Sequence, residues 1–436
     1  MYRENAEKLL NFIDKSPTAF HVIKNMKAEL EEAGFTELKE KDRWQIEKGG
    51  KYFVTRNLSS VIAFRIPEED FVSFNIMASH SDSPSFKIKE SPEMDVDKKY
   101  TKLNVEGYGG MLCAPWFDRP LSVAGRVIVQ EDHRLKTVLV DVDRDLLMIP
   151  NLAIHMNRGA NDGYKYNNQV DMLPLFGDQE DEGSFFKIVA ESAGVKEEDI
   201  KGSDLFLYNR QHGTIWGADN QFISSGQLDD LECAYASLQG ILNCKNRNSV
   251  AVHCVLDNEE VGSGTKQGAE STFLKDTLLR INSALGRSEE EYRMALAESF
   301  MISADNAHAV HPNKTEKTDP TSRAYLNGGV VIKHSANQKY TTDAVSCAMM
   351  KMICNKADVP FQMFANRSDM AGGSTLGNIS NTQVALNTVD IGVAQLAMHS
   401  PYETAGIKDV TYLIKTAETF FSSEITAECD GTYSIN

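Results

Sequence analysis

The chain has 436 residues, which is long enough for a large hydrophobic core and for two or three domains. Its hydrophobic fraction of 42% and charged fraction of 25% are those of an ordinary globular protein. The formal net charge of −17 argues against binding to nucleic acid and against docking to anionic membranes, since both require a basic surface. We therefore expect neither a nucleic-acid partner nor a membrane partner.

The cysteines and the first residues of the chain predict a cytoplasmic protein. The seven cysteines are scattered, odd in number and without the paired spacing of a metal site. The first ten residues carry too many charges for a secretory signal. No stretch of the sequence is long and apolar enough to span a membrane. We expect reduced thiols, most of them buried.

The order of predicted elements indicates one α/β domain that is interrupted by a β domain. Residues 1–34 predict two helices, and three strands follow before about residue 80. From about residue 90, strand-like segments alternate with polar turns, which predicts a mainly β insertion. Near Asn220 the pattern returns to α/β. We predict an α/β catalytic domain over residues 1–92 and 220–436, with an inserted β domain over residues 93–219.

One strand and the turn after it organise the α/β part. Ser249–Leu256 is apolar and rich in β-branched residues, which predicts a strand buried on both faces. Glu259 and Glu260 follow it directly, and a polar segment beyond two glycines predicts the start of a helix. Ligands of open α/β sheets bind at the carboxyl ends of the strands. Two adjacent carboxylates at such a place require a cation or a shared proton, so we interpret the turn as part of a metal site.

Other acidic residues and histidines also follow apolar runs. Taken singly, each is a weak signal, because a histidine at a strand end is usually structural and an aspartate before a helix is usually an N-cap. Taken together, a mixed set of imidazoles and carboxylates suits Zn, Mn or Co, whereas a soft-metal site would need thiolates. The set comprises His80, Asp82, Asp229, Asp230, Asp305 and His399.

Longer motifs resemble those of the M18 family of metallo-aminopeptidases, the aspartyl aminopeptidase group. The resemblance implies an α/β/α catalytic domain of the dinuclear zinc exopeptidase type with an inserted, mainly β dimerisation domain. It also implies a large homo-oligomer, commonly a dodecamer. The motifs run in family order over nearly the whole chain: Ser79–Pro84, Trp116–Leu121, Ile149–His155, Ser225–Asp230, Asp257–Gly262, Ser303–Asn313, Lys333–Gln338, Gly373–Gly377 and Met398–Glu403.

The resemblance implies two divalent metal ions per subunit. His80, Asp229 and Asp305 would hold one ion, and Asp229, Glu260 and His399 would hold the other, with Asp229 bridging them. Zinc is the expected metal, with manganese and cobalt as alternatives.

Two acidic residues have implied catalytic roles. Asp82 would fix the ring of His80. Glu259 would be the general base, taking a proton from water activated by the two metals and delivering it to the leaving amine.

Four further residues have a functional and a structural interpretation. Lys333 ends a predicted strand and resembles the family lysine that meets a substrate carboxylate, but an exposed lysine is the commoner case. His155 matches a family histidine that reaches into a neighbouring subunit's site, and the alternative is a buried structural histidine. His308 either contacts substrate or bonds at a helix start. Gly373 either offers its N–H to substrate or simply begins a helix.

The leading functional hypothesis is a metal-dependent aminopeptidase that removes an acidic residue, Asp or Glu, from the N-terminus of peptides. Because a chain at −17 repels acidic peptides, this preference requires a cation beside the first side chain. One alternative is an M18-type aminopeptidase that prefers neutral N-terminal residues. Another is a cage-forming assembly protein with a vestigial metal site, which predicts eroded ligands, whereas every implied ligand and Glu259 are present.

Overall fold

The computed structural model describes residues 1–436, which form nine helices and 22 strands. The helices are α1 (Tyr2–Asp14), α2 (Ala19–Glu32), α3 (Phe185–Ala193), α4 (Leu228–Asn243), α5 (Phe273–Ala284), α6 (Glu289–Glu298), α7 (Ala344–Lys356), α8 (Leu376–Ser380) and α9 (Ile407–Ser422). The strands are β1 (Thr36–Leu38), β2 (Lys51–Arg56), β3 (Ser60–Arg65), β4 (Ser73–His80), β5 (Ser85–Val96), β6 (Tyr100–Tyr108), β7 (Leu121–Glu131), β8 (Arg134–Asp141), β9 (Leu175–Asp178), β10 (Ile200–Asn209), β11 (Thr214–Trp216), β12 (Phe222–Ser225), β13 (Ser249–Leu256), β14 (Phe300–Ala304), β15 (Ala307–His308), β16 (Val330–His334), β17 (Phe361–Ala365), β18 (Asn387–Gly392), β19 (Ala394–Leu396), β20 (Glu403–Gly406), β21 (Ile425–Cys429) and β22 (Thr432–Ile435).

The largest sheet has nine strands in the order β1-β2-β3-β13-β4-β14-β18-β16-β17. Its central strands β13, β4, β14 and β18 are parallel neighbours. Leu256, the last residue of β13, is paired with His80, the last residue of β4. The carboxyl ends of these strands therefore meet at one edge of the sheet.

Helices cover both faces of this sheet. Along β13, Val250, Val252 and Cys254 pack in one core with residues of α5 and α6. The intervening Ala251 and Val255 pack in a second core with residues of α1, α2, α4, α7 and α9. Because successive strand residues point to opposite faces, all of β13 is buried, as its sequence predicts. The predicted α/β/α class is confirmed.

A six-stranded antiparallel sheet interrupts this domain, in the order β8-β7-β10-β5-β6-β9. It has its own core, which includes Phe86, Trp116 and Phe185. The predicted boundary at residues 92–93 falls inside β5, whose pairing with β6 extends from Ser85 to Val96. The smaller sheets are a five-stranded one in the order β11-β12-β20-β19-β15 and the pair β21-β22.

The segment after the Glu259–Glu260 pair passes two glycines and a polar stretch before the next helix begins, as the sequence predicts. Glu259–Val261 form a single 3-10 turn, and the next helix, α5, begins only at Phe273. Gly262 and Ser263 have φ values of 93° and 62°, which a right-handed helix cannot accommodate. The pair therefore lies on a compact turn at the sheet edge.

None of the helices has the length and apolar character needed to cross a membrane.

Candidate metal centre

Three of the predicted metal ligands lie at or just after the ends of strands at one edge of the nine-stranded sheet, and the other two come from elements outside that sheet. His80 is the last residue of β4, Asp305 follows β14, and Glu260 lies in the turn after β13. Asp229 lies at the start of α4, and His399 lies in the loop between β19 and β20. Parallel neighbours end together, so their side chains converge on one site, as the sequence pattern predicts.

The first ligand group contains His80, Asp229, Asp230 and Asp305, and all four side chains are buried. One ligand atom from each lies within 4.8 Å of the others. His80 Nε2 lies 3.4 Å from Asp229 Oδ1. Three aspartates and one imidazole therefore face a common point.

The second group contains Asp229, Glu260 and His399. His399 Nε2 lies 3.7 Å from Asp229 Oδ2 and 3.4 Å from Glu260 Oε2. Asp229 thus belongs to both groups and turns a different carboxylate oxygen towards each histidine.

Both histidines have the orientation that a metal ligand requires. Nδ1 of His80 lies 3.0 Å from the carbonyl oxygen of Asp82, and Nδ1 of His399 lies 2.5 Å from the carbonyl oxygen of Gly110. A carbonyl oxygen can only accept, so each Nδ1 carries a hydrogen, and in the neutral imidazole the Nε2 lone pair is available to a metal ion. Both free lone pairs belong to the nitrogens that face the carboxylates.

The carboxylates also fit bound cations. Burial raises the pKa of Asp305 to about 6 and that of Glu259 to about 8, and it raises the pKa of Glu260 and Asp230 well above the usual range. Oδ1 of Asp229 and Oδ1 of Asp230 are buried and make no hydrogen bond. Burying carboxylates without a compensating charge costs roughly several kcal/mol of free energy per ion, and bound divalent cations remove that cost. The residues therefore fit a metal centre.

Asp82 contacts both the His80 ring and the Glu259–Glu260 turn. Its carboxylate Oδ1 lies 3.5 Å from His80 Nδ1, farther than the backbone carbonyl oxygen of the same residue. The carboxylate accepts the backbone N–H of Glu259 at 3.1 Å and that of Glu260 at 3.2 Å. Asp82 thus orients the His80 ring through its main chain and holds the Glu259–Glu260 turn through its side chain.

A cavity of about 380 Å³ opens onto the centre. The predicted residues Glu259, Lys333, His308 and Gly373 all line it, together with the ligand candidates. Lys333 is buried rather than exposed, and its Nζ donates to the carbonyl oxygen of Asp305 at 2.7 Å. Gly373 has open space where a side chain would lie.

His155 is a predicted site residue that the single chain does not bring near the metal centre. It is exposed, in an irregular segment between β8 and β9, and it does not line the cavity. The alternative interpretation, a buried structural histidine, does not apply.

Two residues of the centre were given no specific contact by the sequence: Asp230, which belongs to the predicted acidic set, and Glu403, which was not singled out. Asp230 does not cap α4; its Oδ2 accepts the backbone N–H of His80 at 3.1 Å. Glu403 is buried and accepts the N–H of Asp229 at 3.0 Å and that of His399 at 2.7 Å. Both lie inside the quoted motifs, but a hydrogen bond between distant segments leaves no local pattern that would have revealed it.

Imidazoles and carboxylates that meet where the parallel central strands of an α/β/α domain end are typical of a metal-dependent hydrolase. A family model described as Aminopeptidase I zinc metalloprotease (M18) matches residues 12–421. The Probable M18 family aminopeptidase 2 of Clostridium acetobutylicum is 49% identical over 428 residues, covering 96% of this chain and 99% of the relative. The chain belongs to the M18 family of zinc metallo-aminopeptidases, which are peptide hydrolases.

Solved structures support the same assignment. The matching chain in the cryo-EM structure of the Ape4 and Nbr1 complex has a TM-score of 0.93 and 35% identity, covering 97% of this chain and 86% of that one. The S. cerevisiae mApe1 dodecamer has a TM-score of 0.84 and 27% identity, covering 95% of this chain and 96% of that one. The fold predicted from the sequence motifs is therefore found in solved structures.

Proposed function

We propose that the enzyme uses two divalent ions of the zinc type, with Glu259 as general base, and that it prefers peptides with an N-terminal Asp or Glu. The position of Asp229 carries the two-ion proposal. Its Oδ1 faces His80 and its Oδ2 faces His399, so one carboxylate adjoins two complete ligand groups. His80, Asp229 and Asp305 would hold one ion, and Asp229, Glu260 and His399 the other. Asp230 adds a further oxygen beside the first group.

When bound, the ions would acidify water and polarise the scissile carbonyl. Glu259 lines the cavity beside His80 and Glu260, within reach of water there. Its carboxylate would take a proton from the attacking water and return it to the leaving amine, a transfer worth about 10²–10⁴-fold in rate. The backbone N–H of Glu259 donates a hydrogen bond to Asp82, which holds the main chain of Glu259 and so limits how far the Glu259 carboxylate can move.

Hydrolysis of a peptide series tests the activity and the metal together. Peptides with N-terminal Asp, Glu, Leu or Lys would be assayed after adding Zn, Mn or Co to chelator-treated enzyme, and bound metal would be counted. We expect two ions per chain and the highest kcat/KM for Asp and Glu. No hydrolysis with any metal would favour the vestigial assembly protein.

Lys333 supports the acidic preference. Burial alone would lower its pKa, but Asp305 and Tyr340 raise it, so the ammonium stays charged. Nζ bonds the carbonyl oxygens of Asp305 and Asn306, at 2.7 and 3.4 Å, and a third hydrogen is left for a substrate carboxylate. The cavity is also lined by Phe364 and Met398, which favours the neutral-residue alternative. The charge of Lys333 decides between the two preferences.

We expect Lys333→Met to lower kcat/KM for N-terminal Asp and Glu by roughly ten- to a hundredfold, because a charge-assisted hydrogen bond contributes about 1.5–3 kcal/mol. Leu and Ala substrates should be little changed or improved. Lys356→Met is the control, since Lys356 lies on α7 and bonds Ser423 away from the cavity. An equal loss for acidic and neutral substrates would mean that Lys333 only supports Asp305.

We also propose that the six-stranded sheet is an inserted dimerisation domain and that His155 acts in a neighbouring subunit of a homo-oligomer, with twelve subunits as the expected size. The segment that carries His155 exposes Leu152, Ile154, Met156 and Val170, the last two at 74% and 69%. Clustered exposed apolar side chains mark interaction surfaces. A second copy of the chain would cover them and bring His155 towards its cavity.

We expect His155→Phe to reduce kcat while oligomer size and metal content stay unchanged. When the His155→Phe variant is mixed with Glu259→Gln subunits, activity should return. Some sites in the hybrid oligomers then combine Glu259 of one subunit with His155 of its neighbour. The matched control is His133→Phe, an exposed histidine in the β7–β8 turn. Absence of recovery in hybrids shown to have formed by mass spectrometry would refute the cross-subunit role.

A further inference from the structure

The segment Tyr108–Gly110, at the end of β6 in the six-stranded sheet, contacts the metal centre at three points. The Tyr108 hydroxyl donates to Asp82 Oδ2 at 2.7 Å. Gly109 has φ of 75°, and an added Cβ there would lie 3.1 Å from Cβ of Glu260. The carbonyl oxygen of Gly110 accepts from Nδ1 of His399. The glycines let the main chain approach this closely.

Through Asp82, the first contact extends to the proposed base. The Asp82 carboxylate accepts three hydrogen bonds: one from the Tyr108 hydroxyl, one from the N–H of Glu259 and one from the N–H of Glu260. Asp82 is 4% exposed, so water cannot readily replace a lost donor. The orientation of this carboxylate therefore fixes where the Glu259–Glu260 turn begins.

Tyr108 also contacts the other side of the same turn. Its oxygen accepts from Asn258 Nδ2 at 2.8 Å. Asn258 directly precedes Glu259 and has a left-handed φ of 62°. Oδ1 of Asn258 accepts from Thr265 and Gln267, which connects the turn to the chain beyond it. One phenol oxygen thus joins Asp82 and Asn258, the two residues that define the path of the main chain into Glu259.

We propose that Tyr108 is a positioning residue for the aminopeptidase reaction, through which the six-stranded sheet holds the Glu259 carboxylate in place by way of Asp82 and Asn258. This inference rests on the proposed role of Glu259 as general base. A purely structural role would come from the ring, which packs edge-on against Phe206 with centroids 5.5 Å apart. Phenylalanine keeps that packing and removes only the hydroxyl.

The test compares Tyr108→Phe with Tyr208→Phe in the full-length enzyme. Tyr208 is a matched control, because it lies in β10 of the same sheet and its hydroxyl donates to Asp141 at the same distance of 2.7 Å. For Tyr108→Phe we expect kcat to fall about 10- to 100-fold, the effect of one charge-assisted hydrogen bond, with KM within about twofold and metal content unchanged. Tyr208→Phe should match the wild type.

Amide hydrogen exchange gives a readout that does not depend on activity. Tyr108→Phe should speed exchange in the 257–262 peptide, in both metal-loaded and metal-free protein, and nowhere else. Equal kcat and equal exchange in the two variants would overturn the proposal. Faster exchange with unchanged kcat would also overturn it, because the hydroxyl would then order the turn without affecting catalysis.

A second pair of variants keeps the test decisive if Tyr108→Phe does not fold. Gly109→Ala places a methyl group against Glu260, whereas Gly194→Ala adds one at a similar positive φ of 66° with no atom within 4 Å. Only Gly109→Ala should lower kcat and speed exchange at the turn, and equal behaviour of the two would contradict the proposal. If Glu259→Gln kept its turnover, the base assignment would fail independently of these exchange data.

Discussion

Replacing Glu259 by glutamine should lower kcat by about two to four orders of magnitude while both metal ions remain bound. The amide has nearly the same shape, but it cannot take a proton from water or return one to the leaving amine. Both proposed ligand sets remain intact, because Glu259 belongs to neither. Steady-state kinetics check the fall in kcat, and metal analysis of the same preparation checks that the ions remain bound.

Two further variants serve as comparisons for Glu259→Gln. Glu270→Gln changes an exposed glutamate beyond the turn and should leave kcat unaltered. Asp229→Asn should instead release metal, because Asp229 adjoins both ligand groups. Turnover near that of the wild type in Glu259→Gln would exclude Glu259 as the base, and loss of metal in that variant would make it a ligand.

The sequence predicted the parts of the site that follow from local pattern. A strand such as Ser249–Leu256 is recognisable from its apolar run, and the residue after a parallel strand lies at the ligand-binding edge whatever else the chain does. His80, Glu260 and Asp305 could therefore be assigned to one site without knowing the strand order. Asp229 and His399 were candidates because they also follow apolar runs, the family motifs divided the ligands between two ions, and the structure brings all five residues together.

Contacts between distant segments could not be predicted in this way. Tyr108 is 150 residues from Asn258, and Gly110 is 289 from His399, and no periodicity relates such pairs. The contacts that bury Lys333 are also made by other segments, because its Nζ lies against the carbonyl oxygens of Asp305 and Asn306 and the ring of Tyr340.

Removing the metals should make stability fall as pH rises, because the centre then consists of buried carboxyl groups without cations. Burial raises the pKa of Glu259 from an ordinary 4.5 to about 8 and that of Asp305 from 3.8 to about 6. Between the ordinary and the raised value, the folded protein keeps a proton that the unfolded chain has lost. Each such proton lowers the free energy of unfolding by about 1.4 kcal/mol per pH unit.

His80 and Asp229 do not alter the expected fall of stability with rising pH. Burial would lower the pKa of His80, but Asp230, Asp229 and Asp82 raise it well above 6.5, so its contribution is also lost as pH rises. Asp229 has a lowered pKa despite its burial, because His80 and His399 offset that burial; its contribution is lost only below about pH 4. Between about pH 5 and about pH 8, the metal-free protein should therefore lose stability steadily.

Zinc should reverse the trend, because the ligands bind it in their deprotonated forms and protons compete with it at low pH. We expect Tm in chelator to fall from about pH 5 to about pH 8, and the difference in Tm between zinc-loaded and metal-free protein to widen over that range. Glu259→Gln should flatten the metal-free curve, since glutamine retains no proton. Parallel curves for the two forms would mean that these carboxyl groups do not meet at a metal site, because only cation binding at the cluster makes the two forms respond differently to pH.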